Sequence, residues 1–509
     1  MTKHSSHYLI PRGGRRADRH SPRIRIPGLS DLAVVALATG LGLAMALYPP
    51  LLPAADRGLP DIGSADGSLV TQAHERKVAE QVMRNLRQQG LLLDDPELNE
   101  YIQSLGHRLS SHLDSADGSY NFFILKDMQV NAFALPAGYI VVHAGLFLTT
   151  QSEDELASVV AHEIAHVSQK HYSRSFEVSK QQNVILAAAI IAALAVGRED
   201  SNASSALIMG GMANTLANSL AFSREHEQEA DRLGLELLAR SGFNADAMPS
   251  FFSRMQQATR YNTSDAPEYL RTHPVTLNRI SDSRERASNL PHNHHKSSQE
   301  YALMWHKLAM LAGDNANLQY SPPPALHAGT KAYAHALSLT RTGNYPQALK
   351  AIKQAIAEAP NQPLMKTAEA RIFRLSGKPK KVVDIYKQLY ALYPSQGSIA
   401  LGYGQALLDN QQAREAKQVL RKALGDSTIH LPQLYRLLAD TEMKLGRMAA
   451  SHRYLSDYYF DIGNPYAATT QIEIALKQKP LSFYEKEELE ARLGELQDHL
   501  QLLSKMPEL

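Results

Sequence analysis

His162, Glu163 and His166 stand in the string HEIAH. Inside a helix, positions four apart share a face, so the two imidazoles can grip one ion while Glu163, beside the first, takes a proton from water. That is the chemistry of zinc-assisted hydrolysis. A catalytic zinc usually takes a third protein ligand and keeps one position open, and a carboxylate would complete the set. The stretch SREHEQEADRLGLELLARSGF from Ser223 offers one: Ala230, Leu233 and Leu237 have helical spacing, Gly242 ends it, and Glu227 and Asp231 fall one turn apart on one face. Glu227 is the expected third ligand. Asp231 is expected to hydrogen-bond a ligating histidine and fix its tautomer. A competing reading makes Glu225, Glu227, Glu229 and Asp231 a solvated acidic face, which suits Glu225 and Glu229 better. One Zn2+ per chain is expected.

Several elements must hold these side chains. Ser152 followed by Glu155 has the form of a capping box, and Glu153 and Asp154 suit a helix start. Leu156, Val159, Val160, Ile164 and Val167 then form an apolar face, which places HEIAH inside a helix. Upstream, Ala73 to Gln89 and Asp95 to His112 have helical spacing, while Asn121 to Leu125 and Ala134 to Val142 read as strands. The resulting fold class is α+β. Ala134 to Val142 could present a strand edge to an extended substrate; an ordinary internal strand is the alternative.

The 509 residues carry 53 basic and 51 acidic side chains. The first thirty hold seven of the basic and one of the acidic, so the remainder is 46 against 50 and lacks the basic balance of a nucleic-acid binder. With no cysteine there is no disulfide, thiolate nucleophile or cysteine-ligated metal. Arg12, Arg15, Arg16, Arg19, Arg23 and Arg25 precede an uncharged run, Leu32 to Leu47, ended by Pro49 and Pro50. At ~1.5 Å per residue that run reaches ~24 Å, short of the ~30 Å hydrocarbon core, so an export signal is expected over residues 1–55, with Ala44-Met45-Ala46 or Ala54-Ala55 as cleavage sites. An uncleaved anchor is the alternative. A second apolar run, Val184 to Val196, is too short to span; it reads as a buried helix or a cover over a neighbouring site, with membrane-surface contact as the alternative. Gly210-Gly211 suggests a flexible return.

Residues 56–290 therefore form the α+β domain. Residues 291–327 read as a linker with one helix, in which His292, His294 and His295 are solvated. From residue 328 the chain repeats. Pro360 and Pro394 lie 34 apart, as do Gly343 and Gly377, and small residues recur at Ala336, Ala370, Gly404 and Ala439, then at Ala348, Val382, Ala416 and Ser451. Residues 328–509 resemble tetratricopeptide repeats, an all-α solenoid whose concave face binds protein partners. Lys366 and Glu369 depart from that pattern by occupying usually apolar positions, which leaves a plain helical bundle as the alternative.

HEIAH, the EQEAD segment, the text NAFALPAGYIVVHAGL and the later RTHPVTLNRI together resemble the zinc peptidases related to the prenyl-CAAX protease and the heat-shock membrane protease. That resemblance implies a zincin-like metallopeptidase domain with His162, His166 and Glu227 as ligands, Glu163 as general base, Asp231 behind them, and His273 and Arg279 near the metal. His273 could stabilise the oxyanion or fill the open zinc position and shut the enzyme off. Arg279 could face a substrate carbonyl or form a structural ion pair. Leader, peptidase and repeats in this order are similar to periplasmic members of the family, which implies unfolded or stalled outer-membrane proteins as substrates and the barrel-assembly machinery as partner. A repeat-based assembly factor with a rarely active peptidase is the second reading. Ala137 stands where the family commonly has glycine.

Overall fold

The computed structural model describes residues 65–113, 120–172, 223–259, 267–293, 295–313, 320–324, 327–426 and 431–504. The expected signal and its cleavage sites, the run Val184 to Val196, the Gly210-Gly211 pair and His294 lie outside the described residues. Among those described, no helix is long and apolar enough to cross a membrane.

Helix α1 (Ala65–Gln88) leads to α2 (Pro96–Ser110), which Asp95 starts by accepting from the Leu98 N–H at 3.1 Å, with proline at the first helical position. A three-stranded sheet follows: β1 (Asn121–Leu125), β2 (Ala132–Leu135) and β3 (Tyr139–His143), in the order β1-β3-β2. β1 runs parallel to β3 and β2 antiparallel to it. The single strand expected from Ala134 to Val142 is thus two. Pro136 cannot donate to a ladder, and Ala137 (φ 60°) and Gly138 (φ 85°) both enter the left-handed region, so the chain reverses there. Alanine carries that conformation at a cost that glycine would not.

β2 is a sheet edge among the described residues. His143 N–H donates to Asn131 O at 3.0 Å, which makes that pair hydrogen-bonded; by the alternation of antiparallel ladders, Ala132 and Ala134 direct their N–H and C=O away from β3.

After α3 (Ala144–Thr149) comes α4 (Glu153–Ser168), the helix of HEIAH. Ser152 Oγ accepts from Glu155 N–H at 3.2 Å, and Glu155 Oε2 accepts in return from Gln151 N–H at 2.8 Å, one residue before the usual partner. Every residue from Glu153 to His166 is buried. The helix is enclosed on all sides, rather than on one face, because β2, α2, α5 (Arg224–Arg240) and α6 (Ala247–Thr259) surround it. Gly234 lets α5 approach: a Cβ there would lie 3.2 Å from the backbone N and Cα of His162.

α7 (Glu268–Thr272), α8 (Leu277–Ser288) and α9 (Gln299–Ala312) follow. Although α9 falls in the expected linker, it is core. Tyr301 and Trp305 are buried in the same cluster as Val160 and Leu238, with Trp305 Nε1 donating to Leu148 O at 3.0 Å and Tyr301 Oη to Thr150 O at 2.8 Å. His295 is likewise not solvated; its Nδ1 lies 3.0 Å from Asp154 Oδ1 and its ring packs on Phe243. The acidic start of α4 draws it in. His292 is exposed, as expected.

The remaining helices come in pairs: α10 (Thr330–Arg341) with α11 (Tyr345–Glu358), α12 (Pro363–Leu375) with α13 (Pro379–Leu392), α14 (Gly397–Asp409) with α15 (Ala413–Asp426), α16 (Gln433–Lys444) with α17 (Met448–Asp461), and α18 (Pro465–Lys477) with α19 (Phe483–Ser504). Each packs mainly on its neighbours in sequence, which makes a solenoid of tetratricopeptide type rather than a bundle. All eight small residues of the repeat pattern are buried where helices meet, and Lys366 and Glu369 are only half-buried, so the array accommodates them. The array folds back on α2: Ser398 N–H donates to Glu100 Oε1 at 3.0 Å. A cavity of about 430 Å³ lies at that junction, with Asp95, Lys307, Tyr333, Arg371 and Tyr386 in its wall.

Candidate metal centre

Four elements deliver the site. α4 supplies His162, Glu163 and His166, α5 supplies Glu227 and Asp231, the residue ending α7 is His273, and α8 carries Arg279. His162 Nε2 and His166 Nε2 are 3.0 Å apart, an approach that four-residue helical spacing allows. Glu227 Oε2 lies 3.6 Å from His162 Nε2, and its Oε1 lies 3.4 Å from His166 Nε2. His273 Nδ1 enters the same space, 2.9 Å from Glu227 Oε1 and 3.4 Å from His162 Nε2. One ligand atom from each of His162, His166, Glu227 and His273 falls within 4.8 Å of the others, and all four residues are buried. Imidazole and carboxylate donors converging in a buried space suit a divalent transition-metal ion.

Glu163 strengthens the fit. Its buried carboxylate faces the Ala134 amide and, through Oε1, lies 3.5 Å from His273 Nε2. A buried carboxylate with capacity for further hydrogen bonds suits a polar species beside it.

Charges behind the donors set their protonation. Burial opposes charge on Glu227, but His273 and Arg279 outweigh it and hold the carboxyl well below its ordinary range. Burial likewise opposes charge on Asp231, and Arg279 again wins. For Glu163 burial dominates and raises the pKa despite His273 and His162, which suits a group that must gain as well as lose a proton. Burial holds His166 neutral, whereas for His162 the carboxylates of Asp231 and Glu227 overcome burial and raise it to about 9. Any cation binding here must displace that proton.

The sequence-derived residues all gather at this point. Asp231 Oδ1 is 3.0 Å from His162 Nδ1, the position expected of a group that fixes a tautomer. Arg279 takes the ion-pair alternative: Nε and Nη2 donate to Asp231 at 2.7 and 2.8 Å, and Nη1 lies 2.7 Å from Glu227 Oε2. Glu229 is not part of a solvated face, since its Oε2 is 3.1 Å from His171 Nε2; Glu225 is exposed. His171 escaped the sequence reading because a five-residue offset from His166 is out of helical register. Its only trace was one more histidine after HEIAH. Tyr269 also escaped; its ring lies 5.0 Å from that of His273, and among the described residues its buried hydroxyl has no hydrogen-bond partner.

The model of peptidase family M48 matches residues 96–287, a span that includes the whole centre. A putative beta-barrel assembly-enhancing protease of Vibrio cholerae is 42% identical over 253 residues, 49% of this chain and about half (52%) of that protein. The beta-barrel assembly-enhancing protease of Escherichia coli is 28% identical over 447 residues, 86% of this chain and 91% of that one. Its counterpart in Yersinia pestis is 34% identical over 331 residues, 64% of this chain and 68% of that one. With this likeness running from the HEIAH helix into the repeats, the chain belongs to the metallopeptidases of family M48, among the beta-barrel assembly-enhancing proteases.

Proposed function

We propose that this chain is a periplasmic zinc endopeptidase that degrades misfolded or stalled outer-membrane proteins and supports their assembly. The observation that carries the reading is the convergence of His162, His166, Glu227 and His273 beside a buried Glu163. The likeness to beta-barrel assembly-enhancing proteases supports the substrate class and the assembly role. An excess of basic residues before the uncharged run Leu32 to Leu47 supports export.

His162, His166 and Glu227 would hold one Zn2+. When bound, it would supply Lewis acidity that polarises the scissile carbonyl and makes water a stronger acid. Glu163 takes the proton of the attacking water and later passes it to the leaving amine, a double duty that its raised pKa assists. An extended substrate would add a strand at the β2 edge, main-chain bonding that tolerates many sequences. Asp231 holds the His162 imidazole, and Arg279 holds Asp231 and Glu227 in place. His273 would fill a fourth donor position and keep the site shut, which its ligand atom beside those of His162, His166 and Glu227 supports. Residues 56–290 carry the catalysis, and the repeats from residue 328 select partners.

The test is zinc stoichiometry and casein cleavage by the exported chain, beside Glu163→Gln. The variant should keep zinc and lose roughly 10²–10⁴-fold in turnover, because the amide preserves shape and removes the base. Near-wild-type turnover would remove Glu163 from the mechanism.

A further inference from the structure

The two helical histidines of the centre are backed differently. Asp231 stands behind His162, with its Oδ1 3.0 Å from His162 Nδ1. Behind His166 stands another histidine: His166 Nδ1 is 2.9 Å from His171 Nδ1, and His171 Nε2 is 3.1 Å from Glu229 Oε2.

With neutral rings, only one proton arrangement joins these three groups. An ionised Glu229 accepts and cannot donate, so His171 carries its proton on Nε2. His171 Nδ1 is then bare and accepts from His166 Nδ1–H. His166 Nε2 is bare in turn, and it is this atom that faces the centre, 3.0 Å from His162 Nε2 and 3.4 Å from Glu227 Oε1. The opposite arrangement would put a proton on His166 Nε2 and remove its ligating lone pair.

The fold holds His171 in place for this contact. α4 ends at Ser168, Lys170 turns the chain through the left-handed region (φ 51°), and His171 folds back on the last turn, fully buried. Its ring stacks on His226 at 4.4 Å and 12°, which fixes the ring plane. His226 and Glu229 both belong to α5, the helix that also supplies Glu227 and Asp231. We infer that His171 is a positioning residue that, anchored by Glu229, locks His166 in the Nδ1–H tautomer and so presents Nε2 to the metal. The inference rests on the metal-centre reading above and extends it to a relay Glu229–His171–His166.

The test uses the full exported chain, with zinc affinity measured by chelator competition and the tautomer of each histidine read from 15N shifts in the metal-free protein. In the wild type His166 should carry its proton on Nδ1. His171→Phe keeps a ring against His226 but removes the acceptor; it should weaken zinc binding by about 10–100-fold, the usual cost of losing a partner of a ligating histidine, and should let both His166 tautomers appear. His171→Asn restores an acceptor oxygen near the Nδ1 position and should recover most of the affinity, which a purely packing role would not produce. A proton found on His166 Nε2 in the wild type, or unchanged affinity in His171→Phe, would overturn the relay. If His171→Phe does not fold by circular dichroism, the wild-type tautomer decides alone. A wild-type chain that binds no zinc would instead sink the metal-centre reading, while the 15N measurement would still judge the relay.

Discussion

Glu163 and His273 face each other at 3.5 Å, yet their substitutions should act in opposite directions. On the proposed reading Glu163 is the base, so its removal abolishes chemistry, and His273 fills a fourth donor position, so its removal opens the site. His273→Ala should therefore raise hydrolysis, including that of correctly assembled proteins that are normally spared, with zinc retained by His162, His166 and Glu227. The measurement is turnover on unfolded and folded substrates together with metal content. A fall of ~100-fold would assign His273 to the oxyanion instead, as loss of a single donor typically costs that much. The same rate on both substrates would leave it with neither role.

At the scale of elements, two positions carry a measurable free energy. Ala137 joins β2 to β3 at φ 60°, where an L-residue is strained by ~1–2 kcal/mol and glycine is not. Ala137→Gly should stabilise the chain by about 0.5–1 kcal/mol, since the greater freedom of glycine in the unfolded state offsets part of the gain. A lowered melting temperature would show that the Ala137 methyl contributes more than its strain costs. His306 on α9 is pushed from 6.5 down to about 4 by burial. The unfolded chain takes up that proton near pH 6.5 and the native chain does not, so the stabilisation is complete above pH 6.5 and is lost as pH falls toward 4. Between pH 6.5 and 5 the wild type should lose about 1–2 kcal/mol more than His306→Phe in denaturant titrations. Parallel curves would show that His306 is protonated in the native state.

For the whole molecule, the question is which surface meets partners. The last repeats expose large rings, with Tyr466, Phe483 and Tyr484 at 67%, 71% and 84%. Aromatic groups displayed this way favour protein contact. Photo-crosslinkers at these positions in cells should capture outer-membrane assembly components or nascent barrel proteins, whereas one at Leu277, equally exposed at 65% on the peptidase part, should not. Equal, unspecific labelling at all four would deny the repeats a role in selecting partners.

The amino-acid sequence determined what local periodicity can encode. Four-residue spacing put His162 and His166 on one helix face and Glu227 and Asp231 on another, Ser152 marked the helix start, and a 34-residue period placed small residues where repeat helices meet. Only the tertiary structure decided contacts between positions distant in the chain. His273 reaches His162 across 111 residues, Arg279 settles on Asp231, Glu229 turns to His171, and α9 becomes core instead of linker. Short-range pattern reports which way a side chain leaves its own helix. What it meets there depends on how helices from separate stretches pack, and at Gly234 that packing is set by the room one missing Cβ leaves beside His162.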